Sequence, residues 1–167
     1  MSLAGQRIQS DRYVLIPRTL SFLTRPGEVL LLRLGPERGK WSGLLNGVGG
    51  HVEQGEDPVQ SARREITEET GLQAGELLLA GVVIIDTGSL PGIGLYVFIG
   101  EAEDGELSSG SEGTPQWVSL NSLDESSLVA DLPTLLPMAL ARRDGAAPFS
   151  AFYEYDQKGK LKIRFSE

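Results

Sequence analysis

The chain predicts an α/β fold, and three observations carry that prediction. Runs of leucine, β-branched and aromatic residues recur as strand-like segments along most of its length. Two stretches, Pro58 to Thr70 and Leu132 to Ala141, instead show helical spacing of apolar positions. Clusters of Gly, Pro, Asp and Ser separate these segments, and 40% of the 167 residues are apolar, enough for a sizeable core. No internal repeat or linker divides the chain, so residues 1–12 read as a tail and 13–167 as a single domain.

In chain order, Tyr13 to Ile16 and Leu20 to Leu23 read as strand material interrupted by Pro17-Arg18. Arg25-Pro26-Gly27-Glu28 forms a turn into a buried strand over Val29 to Leu32, and the pair reads as a hairpin with Arg33 at its end. Gly35 to Gly43 is a polar loop containing Lys40 and Trp41, and Trp41 either packs or stacks on a base. The run Asn46-Gly47-Val48-Gly49-Gly50 lets the backbone approach something closely. His51, the only histidine, reads as structural or exposed.

Asp57 at an N-cap, Pro58 at N1 and Gln60 at N3 then announce a helix with a capping box, and Gly71 closes it. Leu77 to Asp86 and Ile93 to Ala102 read as adjacent antiparallel strands beneath that helix. Glu103 to Gly113 is an acidic, flexible loop, Gln116 to Val118 a short strand, and Leu120 to Leu123 a turn. Pro133 and Pro137 leave the start of the Leu132 helix open. Phe149 to Tyr155 and Lys160 to Phe165 alternate about Asp156 to Gly159 as a terminal hairpin.

On the first helix, Val59, Ala62 and Ile66 form an apolar stripe, and Glu65, Glu68 and Glu69 an acidic one at i, i+3, i+4 spacing. Like charges so spaced repel by a few tenths of a kcal/mol each, and by more where water is scarce. Arg64 cannot neutralise four acids once Glu56 is counted, whereas a hard divalent cation with oxygen ligands can. The alternative is a solvated acidic face.

The pattern Gly50, Glu56, Arg64-Glu65-Ile66, Glu68-Glu69, Gly71-Leu72 resembles the Nudix box at every fixed position. Seven such identities arise by chance at a given start roughly once in 10⁸. The resemblance implies an α/β/α sandwich with a mixed central sheet. It also implies an enzyme that hydrolyses a nucleoside diphosphate linked to another moiety. Mg²⁺, with Mn²⁺ as a substitute, would be held by Glu65, Glu68, Glu69 and the carbonyl of Gly49 or Gly50. It would polarise phosphoryl oxygens and activate a water. Glu65 is the first choice of general base and Glu112 the second, with an ordinary loop acid as the competing reading of Glu112. Arg64 would orient Glu65, and Glu56 would be structural or outer-sphere.

Trp41 to Gly55, Ser111 to Val118 and Leu128 to Leu140 look most similar to the 8-oxo-dGTP diphosphatase branch. Asn46 falls where those enzymes place a purine-binding asparagine. Asp131 resembles their base-reading acid, one aspartate where some relatives carry a pair. Arg33 is a candidate phosphate contact.

The formal charge of −8 argues against a long nucleic-acid polymer as partner, since such binding needs basic patches, but not against a nucleotide beside a metal. The absence of cysteine, of a signal-peptide pattern and of any 18-residue apolar run points to a cytoplasmic protein without membrane contact. A homodimer stays open. So do ADP-ribose, a dinucleoside polyphosphate or a capped RNA end as substrate, and a non-catalytic nucleotide sensor.

Overall fold

The computed structural model describes residues 11–166, so the expected tail is outside the described residues up to position 10. Eight strands form one mixed sheet: β1 (Leu15–Arg25), β2 (Glu28–Leu34), β3 (Leu45–Asn46), β4 (Ala74–Ile85), β5 (Gly92–Ala102), β6 (Gly113–Ser119), β7 (Phe149–Tyr155) and β8 (Leu161–Phe165). Their order is β3-β2-β1-β5-β4-β7-β8, with β6 paired to β2. The β1–β5 and β4–β7 pairs are parallel and the others antiparallel. Helix α1 (Pro58–Thr70) packs on β1, β4 and β6, and α2 (Leu132–Arg143) on β4 and β5, completing the α/β/α sandwich. The core includes Phe22, Leu30, Leu31, Ile66, Ile99 and Leu135, all fully buried.

Two sequence expectations are corrected. Pro17 does not interrupt the first strand: β1 runs through it and starts only at Leu15. A missing N–H is tolerated near a strand start, and the Pro17 carbonyl still accepts from Val52 N at 3.1 Å. The Gly35–Gly43 loop contains a short 3-10 helix over Pro36–Trp41, started by a proline in its first turn. The loop after β5 is irregular, and within it Ser108 N donates to the Thr70 carbonyl (2.9 Å) at the end of α1. Helix α2 begins at Leu132, with Pro133 in its first turn and Pro137 inside it. Among the described residues no helix is long and apolar enough to cross a membrane.

Candidate active site

Helix α1 is built as its sequence dictates. Asp57 Oδ1 accepts from Val59 N (2.8 Å) and Gln60 N (2.9 Å), Gln60 Oε1 accepts from Asp57 N (2.9 Å), and Gly71 takes φ 74° at the C-cap. What it buries differs from the two-stripe expectation. Val59 is 39% exposed, while Ser61, Ala62, Glu65, Ile66, Glu69 and Thr70 are buried. Val59 lies in the first turn, beyond the edge of the sheet contact, and the buried face carries acids among its apolar residues. Glu65 and Glu69 point inward at 8% and 4% exposure, and Glu68 stays at the surface.

Arg64 holds this cluster. Its guanidinium donates to Glu56 Oε1 (2.7 Å) and Oε2 (3.0 Å), Glu65 Oε1 (2.8 Å), Glu68 Oε2 (3.1 Å) and the His51 carbonyl (3.0 Å). The Arg64 hydrogen bond, with help from the Glu53 amide, draws the Glu56 carboxyl down from 4.5 to about 2. Burial pushes Glu65 the other way; Arg64 opposes that shift, and the charges of Glu112 and Glu68 add to it. Gly50 packs against the Glu65 carboxylate so closely that a Cβ there would have to displace it.

Glu69 anchors the loop before β6, accepting from Ser111 Oγ (3.2 Å) and Glu112 N (2.9 Å). The Glu112 carboxylate itself pairs with Arg38. Of the two glycine carbonyls, that of Gly50 accepts from Thr19 N (2.9 Å), whereas Gly49 lines the neighbouring cleft. Exposed His51 contributes its main chain, whose carbonyl accepts from Ser61 Oγ (3.1 Å) as well as from Arg64.

That cleft has a volume of about 620 Å³. A bridge between Leu45 and Leu128, with Val129 N donating to Leu45 O (3.0 Å), ties β3 to the segment before α2. Asn46 and Asp131 thereby line one cavity, together with Trp41 and Glu112. Asn46 Oδ1 accepts from Gly47 N (2.9 Å), which leaves its amide donors available. Asp131 makes no side-chain cap bond to α2, and burial raises its carboxyl above the ordinary 3.8. Trp41 is 44% exposed with Lys40 Nζ 5.5 Å from its ring centroid.

Arg33 is not brought to the cleft. Leu32 and Leu34 line it from β2, and strand alternation turns Arg33 away to Gly43 O (2.8 Å) and Gln116 Oε1 (3.2 Å). The cations at the cleft are instead Arg18, Arg38, Lys40 and Lys160. Sequence reading also missed Tyr153 and Tyr155, which line it from β7. Their i, i+2 spacing in a strand was the available signal.

A mixed sheet between two helices, one of which carries a carboxylate cluster, with a cleft that combines an apolar lining with Arg18, Arg38, Lys40 and Asp131, defines an α/β/α sandwich with a ligand-sized cavity. Residues 15–138 match the NUDIX domain model, and the chain belongs to that family of pyrophosphate-bond hydrolases, which generally use divalent metal ions. It is 33% identical over 126 residues to an oxidized purine nucleoside triphosphate hydrolase of Danio rerio, covering 75% of this chain and 80% of that protein. The corresponding hydrolase of Mus musculus is 30% identical over the same lengths. A mutator MutT protein from Bacillus halodurans superposes with TM-score 0.69 at 22% identity, covering 90% of this chain and 97% of that one. An ADP-ribose pyrophosphatase from Streptococcus suis does so with TM-score 0.61 at 20% identity, covering 82% and 98%. At those identities the structural likeness establishes the fold and does not choose a substrate.

Proposed function

We propose that this chain hydrolyses purine nucleoside triphosphates, oxidised ones included, to monophosphate and pyrophosphate, with Mg²⁺ as metal and Mn²⁺ as a substitute. One observation carries the reading: the cleft lined by Asn46 and Asp131 is linked to the acids of α1 through two of its other lining residues, Glu112, whose amide donates to Glu69, and Gly49, whose neighbour Gly50 packs on Glu65. The relatives at 30–33% identity, named for oxidised purine triphosphates, support it.

The donor set fits a hard divalent ion. Glu65, Glu68 and Glu69 are oxygen donors within five residues, and of the two glycine carbonyls that of Gly49 is our choice, because that of Gly50 already accepts from Thr19 N. Among the described residues no three acids stand close enough together to form a ligand group; Arg64 hydrogen-bonds Glu65 and Glu68, and Glu69 accepts from Ser111. A bound ion would supply charge neutralisation at the phosphoryl oxygens and a more acidic water.

The chain's own residues do the rest. Arg64 fixes Glu65 through its Oε1 and leaves the other oxygen to accept a proton from the attacking water. Glu112 is the weaker candidate for that task, because Arg38 holds its carboxylate. Arg18, Arg38 and Lys40 offer positive charge to the phosphates, the role expected of Arg33. Asn46 and Asp131 meet the base, and Trp41 supplies a stacking face at the rim.

A panel of nucleotides with Mg²⁺ tests this reading. The expected outcome is pyrophosphate release, fastest from oxidised and ordinary purine triphosphates. Faster cleavage of ADP-ribose, dinucleoside polyphosphates or capped RNA would replace the substrate class, and no cleavage of any would leave a nucleotide-binding protein.

A further inference from the structure

Three buried side-chain oxygens among the described residues have no hydrogen-bond partner: Thr19 Oγ1, Ser21 Oγ and Tyr153 OH. Folded proteins rarely tolerate such groups, and each one asks what completes it. Two of the three belong to residues that line the cleft, Thr19 and Tyr153, and Tyr153 is only 2% exposed. Asp131 lines the same cleft, and its side chain makes no cap bond to α2. The unsatisfied polarity is therefore concentrated where a ligand would enter.

Tyr153 reaches this position by register. In β7 it pairs with Ile85 of β4 and Ile163 of β8, and Ile85 is itself a lining residue. Its main-chain oxygen is used by Asp86 N (2.9 Å), so the backbone is fixed and only the phenol is left over. Burial, and after it the negative charge of Asp131, push the phenol up, so it stays protonated and able to donate.

We propose that Tyr153 is a specificity-determining residue that reads the base together with Asp131, an assignment that rests on the triphosphate reading above. A carboxylate accepts hydrogen bonds and a neutral phenol donates one. Side by side they match a ring edge that presents an N–H next to a C=O. Guanine has such an edge at N1 and C6, and oxidation at C8 creates a second at N7 and C8. Adenine presents the two in the opposite order, an acceptor at N1 beside an amino donor, so in the pose that guanine takes it leaves both protein groups wrongly met. The pair thus selects guanine-type and 8-oxidised bases over adenine, through a residue in the terminal hairpin that lies beyond the box.

The test uses the intact protein without metal, and nucleoside monophosphates as probes, so that binding is read apart from hydrolysis. Calorimetric affinities for 8-oxo-dGMP, dGMP and dAMP are compared between wild type and Tyr153→Phe. Wild type should prefer 8-oxo-dGMP and dGMP over dAMP, and Tyr153→Phe should narrow that preference about 5- to 10-fold. Because the free protein leaves the hydroxyl unsatisfied, the same variant should melt about 2–4 °C higher in the absence of nucleotide. A phenol with a merely structural partner would give the opposite sign in melting. An unchanged preference overturns the assignment whatever the melting temperature does. A wild type that does not prefer 8-oxo-dGMP or dGMP to dAMP also overturns it, while leaving triphosphate hydrolysis intact. A wild type that cleaves no nucleoside triphosphate removes the underlying reading itself.

Discussion

At the acidic end of α1, one guanidinium donates to Glu56, Glu65, Glu68 and a carbonyl, and Glu69 accepts from Ser111 and the Glu112 amide. On the cleft side, Tyr153 OH and Thr19 Oγ1 have no partner, and burial raises Asp131. Both regions bury polar groups, but the first is largely satisfied in the free protein and the second is not. A satisfied cluster holds its geometry before substrate arrives, which suits groups that must align a reaction. An unsatisfied one gains most when a complementary ligand arrives, which suits discrimination between bases.

The largest effect should come from the satisfied region. Glu65→Gln and Glu69→Gln should each lower kcat by at least about 10², measured as pyrophosphate release at saturating Mg²⁺. Glutamine at position 69 keeps one acceptor for the Ser111 or Glu112 donor, so the melting temperature should move little by comparison. Near-normal turnover in both variants would remove the proposed roles of these acids. It would also reduce the acidic cluster to a structural feature.

One acid from each region, Glu56 and Asp131, should also respond to pH with opposite signs. Glu56 is drawn down from 4.5 to about 2, so its contribution to stability is complete above 4.5 and is lost as pH falls toward 2. Asp131 is raised above 3.8, so its relative stabilisation is present below that value and is lost as pH rises through the folded pKa. Melting temperatures from acid to neutral pH should show Glu56→Gln less stable than wild type near pH 7, with a flatter acid limb. Asp131→Asn should be more stable there. Shifts of the same sign in both variants would dissolve the contrast.

The two regions were unequally legible in the sequence. Helix α1 is written locally: Asp57, Pro58, Gln60 and Gly71 act on neighbours within a turn, and each does in the structure what its position implies. The hairpin of β7 and β8 was readable for the same reason, as alternation about a polar turn. The cleft depends on pairings between distant segments. Asn46 and Asp131 meet because Leu45 bridges Leu128, and Tyr153 reaches the cleft because β7 runs parallel to β4. Resemblance brought out Asn46 and Asp131, whereas the i, i+2 spacing of Tyr153 and Tyr155 marks one face of a strand without saying what that face meets. Arg33 and Val59 show the same limit from the other side. Each is chemically suited to its expected role, but Val59 is left exposed by the packing of α1, and Arg33 is turned away by alternation once Leu32 and Leu34 face the cleft.

The smallest effect should fall on Asn46, and two substitutions there separate a base contact from a backbone support. Asn46 Oδ1 accepts from Gly47 N, a bond that holds the glycine run leading to Gly49, while its amide donors are left for a ligand. Asn46→Ala removes both functions and should cut the preference for purine over pyrimidine triphosphates about 5- to 10-fold, with a smaller loss in turnover. Asn46→Asp keeps an oxygen for Gly47 but replaces the donors with acceptors. If the side chain reads the base, the aspartate variant should lose as much discrimination as the alanine variant while keeping more of its turnover. If it only supports the loop, Asn46→Asp should discriminate like wild type, and Asn46→Ala should slow all bases equally. Relative kcat/KM values for purine and pyrimidine triphosphates decide between the two. The second result would leave Asp131 and Tyr153 as the cleft's remaining polar groups for recognising a base.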